Sequence, residues 1–468
     1  MTKAIEALRA ALGTGAVLTG ADIGPRHRSD MSMTGRHLPK ALLRPRNTDE
    51  VAAALRICHA HGQSVVPQGG LTGLAGGANA GPDDIALSLD LLTGIEELDA
   101  EAATLTVLAG TPLERAQLAA AEQGFLLPLD LGSRGSAQVG GNLSTNAGGN
   151  RVIRYGMARA QVLGLEAVLA DGTVISSLNK MLKNNAGFDL KQLFIGSEGT
   201  LGIITRVVFR LRPLPRSTST AFCALTSFEA VLALLGRAGT DLGGPSAFEV
   251  MWPDFYRFVS GHKMTGAQPL SPDHPFYVLI EHQGNDAAND PARFQALLEA
   301  ALEEGLLVDA VIAQTEKEAQ SFWKVREGYA LDTLPEIVNF DVSLAVGRIG
   351  AFAEDCRARL AARWPKGEFF FYGHIGDSNL HITTSVSYAA GEGMHDVDEI
   401  VYACVRDFAG SVSAEHGIGT LKRDYLSYSR TPAEIDVMRR LKAALDPRGI
   451  LNPGKVICQG EGELGIIE

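Results

Sequence analysis

Three glycine-rich stretches fall within the first 202 residues of this 468-residue chain, and they constrain its fold more than any other feature. They are Pro67-Gln68-Gly69-Gly70-Leu71-Thr72-Gly73-Leu74-Ala75-Gly76-Gly77, the segment 130–150, and Gly196-Ser197-Glu198-Gly199-Thr200-Leu201-Gly202. Glycine weakens helix and strand interiors, so all three read as loops, and long loops inside a compact domain are usually functional. The 52 glycines exceed the usual ~7% but show no Gly-X-Y period, which excludes a collagen-like chain. The first loop contains neither G-x-G-x-x-G at a strand–helix junction nor G-x-x-x-x-G-K-[ST], so the Rossmann and P-loop readings both fail. What its glycines still permit is a nest, in which successive backbone N–H groups converge on a pyrophosphate. The second stretch adds Ser133, Ser136, Asn142, Thr145 and Asn146. Such neutral donors suit an enclosed dinucleotide better than a loosely held anion.

Length predicts two or three packed units, and 46% hydrophobic with 21% charged residues is ordinary globular composition. The net charge of −12 argues against a nucleic-acid binder or a basic membrane-surface protein. Local cations or a metal must then capture any acid the protein binds. Cys58, Cys223, Cys356, Cys404 and Cys458 form no CxxC pair, so no disulfide framework or Cys-type zinc site is indicated. Glu6 and Arg9 interrupt the N-terminal apolar residues, which therefore lack a signal-peptide core, and no apolar run approaches a bilayer span. The expectation is a cytoplasmic protein with no transmembrane segment.

The apolar spacing predicts a helix over 49–62 and strands over 64–66, 85–89, 103–108, 164–169 and 203–211. Pro213, Pro215 and the polar run 216–220 mark a boundary near 215. Beyond it the glycine loops stop. Helices over 228–237, 290–304 and 349–364 alternate with strands such as 276–280 and 368–372, and a final helix spans 432–445. This is α+β patterning in a second domain.

That domain carries a second constellation, Tyr372-Gly373-His374-Ile375-Gly376-Asp377-Ser378-Asn379-Leu380-His381-Ile382-Thr383. It reads as a β-hairpin. With Asp377-Ser378 as a two-residue turn, His374 faces His381 across the strands, and Tyr372 faces Thr383 on the same side. Two imidazoles so placed can reach one metal. Ser413-Ala414-Glu415-His416-Gly417-Ile418-Gly419 follows, where Glu415 can complete a His₂Glu set and His416 can act as a general base. Such a set suits Zn, Mn, Co or Fe.

The three N-terminal motifs in this order resemble the FAD-binding domain of the vanillyl-alcohol-oxidase or PCMH type. GHIGDSNLH, AEHGIG and the tail LDPRGILNPGK resemble the D-lactate and D-2-hydroxyglutarate dehydrogenase branch of those FAD-linked oxidases. The resemblance covers roughly residues 20–457. It implies an α+β fold: a PCMH-type FAD-binding domain of two α+β subdomains over 1–215, and an α+β substrate and metal-binding domain with an antiparallel sheet over 216–430. A C-terminal segment, 431–468, would return to the first domain. It further implies an FAD site formed by Pro67, Gln68, Gly69, Gly70, Leu71, Thr72 and Gly73 on the pyrophosphate side. Ser133, Gly140, Gly141, Asn142, Thr145, Ala147 and Gly148 would lie on the ribityl and ring side, with Glu198, Gly202, Ile203, Ile204 and Asn452 completing it. Relatives that bind FAD covalently have a His where this chain has Leu71, so non-covalent FAD is expected. The resemblance also implies metal ligands His374, His381 and Glu415, with zinc the foremost metal, and His416 as base. Arg326 would bind a substrate carboxylate, with Tyr372 and Thr383 beside it.

The chain departs from the hydroxyglutarate dehydrogenases at Ala330, Asn339 and Thr383, where those enzymes tend to have Thr, Lys and Asn. A distal carboxylate would lose a cation at Asn339. The expected activity is oxidation of a D-2-hydroxy acid to the 2-oxo acid, with D-lactate and D-2-hydroxyglutarate equally placed. Electrons would pass to a separate acceptor such as a quinone, a cytochrome or an electron-transfer flavoprotein, and a homodimer fits this class. Three rivals stand beside this reading: a metal-dependent hydrolase, a non-catalytic FAD-binding electron-transfer subunit, and an oxidase that uses dioxygen directly.

Overall fold

A computed structural model describes residues 3–389 and 392–458. The chain forms two compact units: Met1–Gly149, Met157–Leu214 and Glu415–Glu468 make the first, and Asn150–Gly156 with Pro215–Ala414 makes the second. The chain thus leaves the first unit for seven residues directly after the second glycine stretch. Its return falls at Glu415, inside the AEHGIG motif rather than near residue 430.

Among the described residues the first unit holds two large sheets and a two-stranded one, Phe125–Leu126 with Arg212–Pro213. One large sheet orders its strands Val17–Leu18, Ala41–Leu43, Ile85–Ser88, Val65–Gln68, and the last three run parallel. Helix Thr48–His61 makes the crossover that parallel pairing requires. Its ends are written in the sequence: the Asn47 side chain accepts the Glu50 N–H at 2.8 Å, and Gly62 closes the helix in the left-handed region. The other large sheet is antiparallel, in the order Ile95–Asp99, Thr104–Leu108, Ile203–Arg210, Val162–Val168, Val174–Ser177. A single core containing Val51, Leu55, Val65, Leu105, Val107, Val207 and Phe209 spans both large sheets. Burial of such side chains stabilises by about 1.5–3 kcal/mol each. The glycine loops are therefore mounted on rigid strand ends. Residues 139–144, inside the second glycine stretch, form a short helix that the sequence reading leaves as loop.

The second unit is built on a seven-stranded antiparallel sheet, ordered Leu307–Ile312, Ser217–Leu225, Phe276–Gly284, Ala247–Met251, Glu368–Gly373, Asn379–Ser385, Ile337–Ser343. Helices Pro253–Gly261 and Glu316–Glu327 cover one face, where Phe222, Met251, Phe255, Tyr256, Tyr277, Leu279, Phe322 and Phe370 pack together. Side chains alternate across a strand. The intervening residues Cys223, Val250, Val278, Ile280, Phe371 and Ile382 are also fully buried, so both faces are covered. The α+β architecture with an antiparallel sheet agrees with the sequence expectation.

Candidate active site

In the first unit the glycine loops enclose a cavity of about 600 Å³. Of the residues expected there, Pro67, Gly69–Gly73, Ser133, Gly140, Gly141, Asn142, Thr145, Ala147, Glu198, Gly202, Ile203 and Ile204 line it. Glu415 and His416 line it too. The approach of the first two loops depends on Gly70, where an added Cβ would lie 2.0 Å from the Ser136 carbonyl oxygen. Gly140 is pressed similarly against Ala109.

Three expected residues lie outside the lining. Gln68 is fully buried and faces away; its side chain meets His27 Nδ1 at 2.8 Å and donates to the Ala78 carbonyl at 3.0 Å. It shapes the loop from behind. Asn452 works similarly, donating its amide to the carbonyls of Gly77 (3.0 Å) and Glu198 (2.7 Å). Gly148 is likewise absent from the wall.

The cavity fits a dinucleotide such as FAD. Gln138 and Asn142, both in the wall, each have a buried side-chain oxygen with no protein partner, while the space beside Gly141 is open. Among the described residues the wall contains no lysine or arginine, so a diphosphate there is met by neutral N–H and O–H donors. The wall holds two buried carboxylates among its described residues, Asp30 and Glu198. Glu198 faces the turn after His416. Burial pushes its carboxyl above the ordinary value, opposed by the N–H groups of Ile418 and Gly419, which donate to it at 2.6 and 2.8 Å. Its carboxylate thereby clamps the turn after His416. Glu415 Oε2 accepts the Gly149 N–H at 2.7 Å.

In the second unit the hairpin forms, with a different turn. Tyr372 pairs with His381 and Phe370 with Thr383, because residues 375–378 make a four-residue loop with a 3₁₀ turn, closed by Ser378 at φ 75°. The expected register is displaced by two residues. A two-residue shift preserves the face, so the rings of His374 and His381 still lie 5.2 Å apart between centroids.

His374 is held by a residue the motif reading misses. Its Nδ1 lies 2.7 Å from Glu249 Oε1, and Arg326 Nε donates to Glu249 Oε2 at 2.6 Å. Arg326 Nη2 also approaches His374 Nε2 at 3.3 Å, and its guanidinium lies 5.1 Å from the Tyr372 ring centre. Burial alone would raise the Glu249 carboxyl, but His374 and Arg326 hold it below the ordinary value. Its signal in the sequence is slight: a lone charge in the apolar strand Ala247–Met251. Asp341 is also missed. It pairs in register with His381, and the two offer ligand atoms within 4.8 Å of each other. Asp341 accepts from Asn379 Nδ2 at 2.6 Å and from the Ala414 N–H at 3.1 Å. Nearby, Thr383 donates to Asn339 Oδ1 at 2.7 Å and lies 3.3 Å from the Tyr372 hydroxyl. The expected metal set is thus divided, with His374 and His381 in the second unit and Glu415 in the first.

Comparison with known proteins agrees with both halves. The family described as FAD binding domain matches residues 39–177, and that described as FAD linked oxidases, C-terminal domain, matches residues 214–456. The chain is 42% identical to a mitochondrial D-2-hydroxyglutarate dehydrogenase of Bos taurus, over 92% of this chain and 78% of that protein. It is 36% identical to a D-2-hydroxyglutarate dehydrogenase of Stutzerimonas stutzeri, over 97% of this chain and 98% of that one. A putative mitochondrial D-lactate dehydrogenase of Schizosaccharomyces pombe is 38% identical over 89% of this chain and 81% of its own. Among solved structures, p-cresol methylhydroxylase superposes with a TM-score of 0.72 at 17% identity, over 97% of this chain and 96% of that chain. Two of these relatives are named mitochondrial, which overturns the cytoplasmic expectation. That expectation rested on the absence of a signal-peptide core, a pattern that carries no information about other compartments. No helix among the described residues is long and apolar enough to cross a membrane. The chain belongs to the FAD-linked oxidases, in the branch that contains the D-2-hydroxyglutarate and D-lactate dehydrogenases.

Proposed function

We propose that the protein catalyses FAD-dependent, metal-assisted oxidation of a D-2-hydroxy acid to the 2-oxo acid, with the electrons passed to a separate acceptor. One observation carries the reading: His416 and Glu415 line the same cavity as the glycine loops, so a proton acceptor borders the space that fits the cofactor. FAD, bound without a covalent link since Leu71 offers no nucleophile, supplies the two-electron sink. His374, His381 and Glu415 would hold a divalent cation, zinc foremost, and such a cation would lower the pKa of a hydroxyl bound to it. The ligand set rests on the sequence resemblance. Arg326 holds a substrate carboxylate through its guanidinium fork, and His416 takes the hydroxyl proton.

The side chain of the acid is a separate question. The relatives named for D-2-hydroxyglutarate favour a dicarboxylate. The uncharged group of Asn339, Thr383 and Tyr372 favours a neutral substituent, such as that of D-lactate. An anaerobic visible titration of the metal-loaded flavoprotein with D- and L-lactate, D-2-hydroxyglutarate and D-malate decides both points. Bleaching by one D-acid, abolished by a chelator, is the expected result. A yellow protein that no acid bleaches would favour the electron-transfer subunit instead.

A further inference from the structure

Glu249 is fully buried in the second unit, and its two carboxylate oxygens are used separately. One accepts from Arg326 Nε at 2.6 Å; the other meets His374 Nδ1 at 2.7 Å. A carboxylate at Nδ1 fixes the proton there and leaves the lone pair on Nε2. The same carboxylate occupies the Nε edge of the guanidinium, whose Nη2 lies 3.3 Å from His374 Nε2, so the two side chains it holds also meet each other. The strand Ala247–Met251 lies beside Glu368–Gly373 in the sheet, with Val250 opposite Gly373, so Glu249 falls next to His374 by register. Both side chains it holds are nearly buried, with side-chain exposures of 7% for Arg326 and 8% for His374. Neither has much room to turn.

We infer that Glu249 is a positioning residue that sets the ring orientation of His374 and the guanidinium orientation of Arg326 together, so that cation binding and substrate-carboxylate binding depend on one side chain. The inference rests on the proposed roles of His374 and Arg326. It goes beyond them in assigning coupled control to a residue that is given neither binding role itself. A purely packing role for Glu249 would affect stability alone. The coupled role requires two further effects: a change in the His374 tautomer, and a joint loss of cation affinity and of substrate affinity.

The test uses the full chain reconstituted with FAD, in the wild type and in Glu249→Gln and Glu249→Asp. Zinc affinity is measured by competition with a chromogenic chelator. Steady-state kinetics give KM and kcat for the D-acid that bleaches the wild-type flavin. Nitrogen-detected NMR of labelled histidine reads the His374 tautomer. Glu249→Gln is expected to weaken zinc by about 10–100-fold, the usual loss when the outer partner of a ligating histidine is removed. It is also expected to raise KM by a similar factor, with bound FAD unchanged, and Glu249→Asp should fall between the two. Zinc affinity and KM equal to wild type in a folded Glu249→Gln would overturn the inference. So would a wild-type His374 carrying its proton on Nε2, a measurement that needs no variant to fold. A wild type that binds no divalent metal would instead overturn the metal reading, and the KM and tautomer of Glu249→Gln would still decide the role of Glu249.

Discussion

His416 lines the first unit's cavity and follows Glu415, whose carboxylate is tied to the Gly149 N–H at 2.7 Å. The base role proposed for His416 concerns the proton transfer, while the glycine loops supply most of the cavity wall. His416→Ala is therefore expected to slow flavin reduction by ~10²–10⁴-fold, with FAD content unchanged; stopped-flow absorbance and a flavin assay check the two halves. Glu198 behaves differently. Burial raises its carboxyl above the ordinary 4.5, against the donated N–H groups of Ile418 and Gly419. A raised folded-state pKa means that the folded state holds the proton more tightly than the unfolded one. Its contribution is fully present below about pH 4.5 and is lost as pH rises through the raised value. The stability of wild type relative to Glu198→Gln should accordingly decline as pH increases from 4.5 and then level off, as read from denaturant midpoints; a flat difference would remove the effect. Asn339 tests the choice of acid. Asn339→Lys adds one cation beside Thr383, and one charge-assisted hydrogen bond is worth about 1.5–3 kcal/mol. The KM for D-2-hydroxyglutarate should fall roughly tenfold or more while that for D-lactate does not.

At the scale of elements, the hairpin shows how far the sequence is legible. Apolar-aromatic runs on either side of a polar turn identify two strands, and the face that carries His374 and His381 is also legible, because the period of two survives a register shift of two. The turn is less legible. Asp377-Ser378 lacks the glycine that a tight two-residue turn favours, and the chain instead makes a four-residue loop whose last residue, Ser378, takes a positive φ. Partners from distant strands are less legible still. Glu249 and Asp341 reach the site only through the order of seven strands, which no local pattern encodes. The glycine loops are the opposite case, for their spacing alone marks a backbone that must come close to something. Gly70 is a sharp test, since its added Cβ would meet the Ser136 carbonyl oxygen at 2.0 Å. Gly70→Ala should force the first two loops apart at a cost of about 1–3 kcal/mol. FAD affinity should drop by roughly 5–150-fold on that scale, as followed by flavin fluorescence on dilution. Unchanged retention would mean that the contact between these loops is not part of the cofactor cradle.

Across the molecule, the first unit is completed by chain from its far end. Leu451 lies parallel to Val65, with the Val65 N–H donating to Ile450 at 2.8 Å and the Asn452 N–H to Val65 at 2.8 Å. The sequence alone places a helix over 432–445 and a Pro- and Gly-containing tail. What it does not reveal is how that tail is locked. Helix Pro432–Leu445 buries one residue, and that residue is Lys442. Its ammonium donates to the carbonyls of Thr200 (2.8 Å) and Leu451 (2.7 Å) and to Asp446 Oδ2 (2.5 Å). Asp446 in turn accepts from the N–H groups of Ile450 and Leu451. This buried pair joins the third glycine loop, through Thr200, to the tail that carries Asn452. Removing one partner of such a pair leaves an uncompensated charge, at about 3–5 kcal/mol. Lys442→Met is therefore expected to lower the melting temperature and weaken FAD binding together, although the side chain does not line the cavity. Because a ligand of the folded state stabilises by mass action, excess FAD should restore part of the lost melting temperature. A lowered melting temperature that FAD does not raise would mean that the tail stabilises the unit without shaping its cavity.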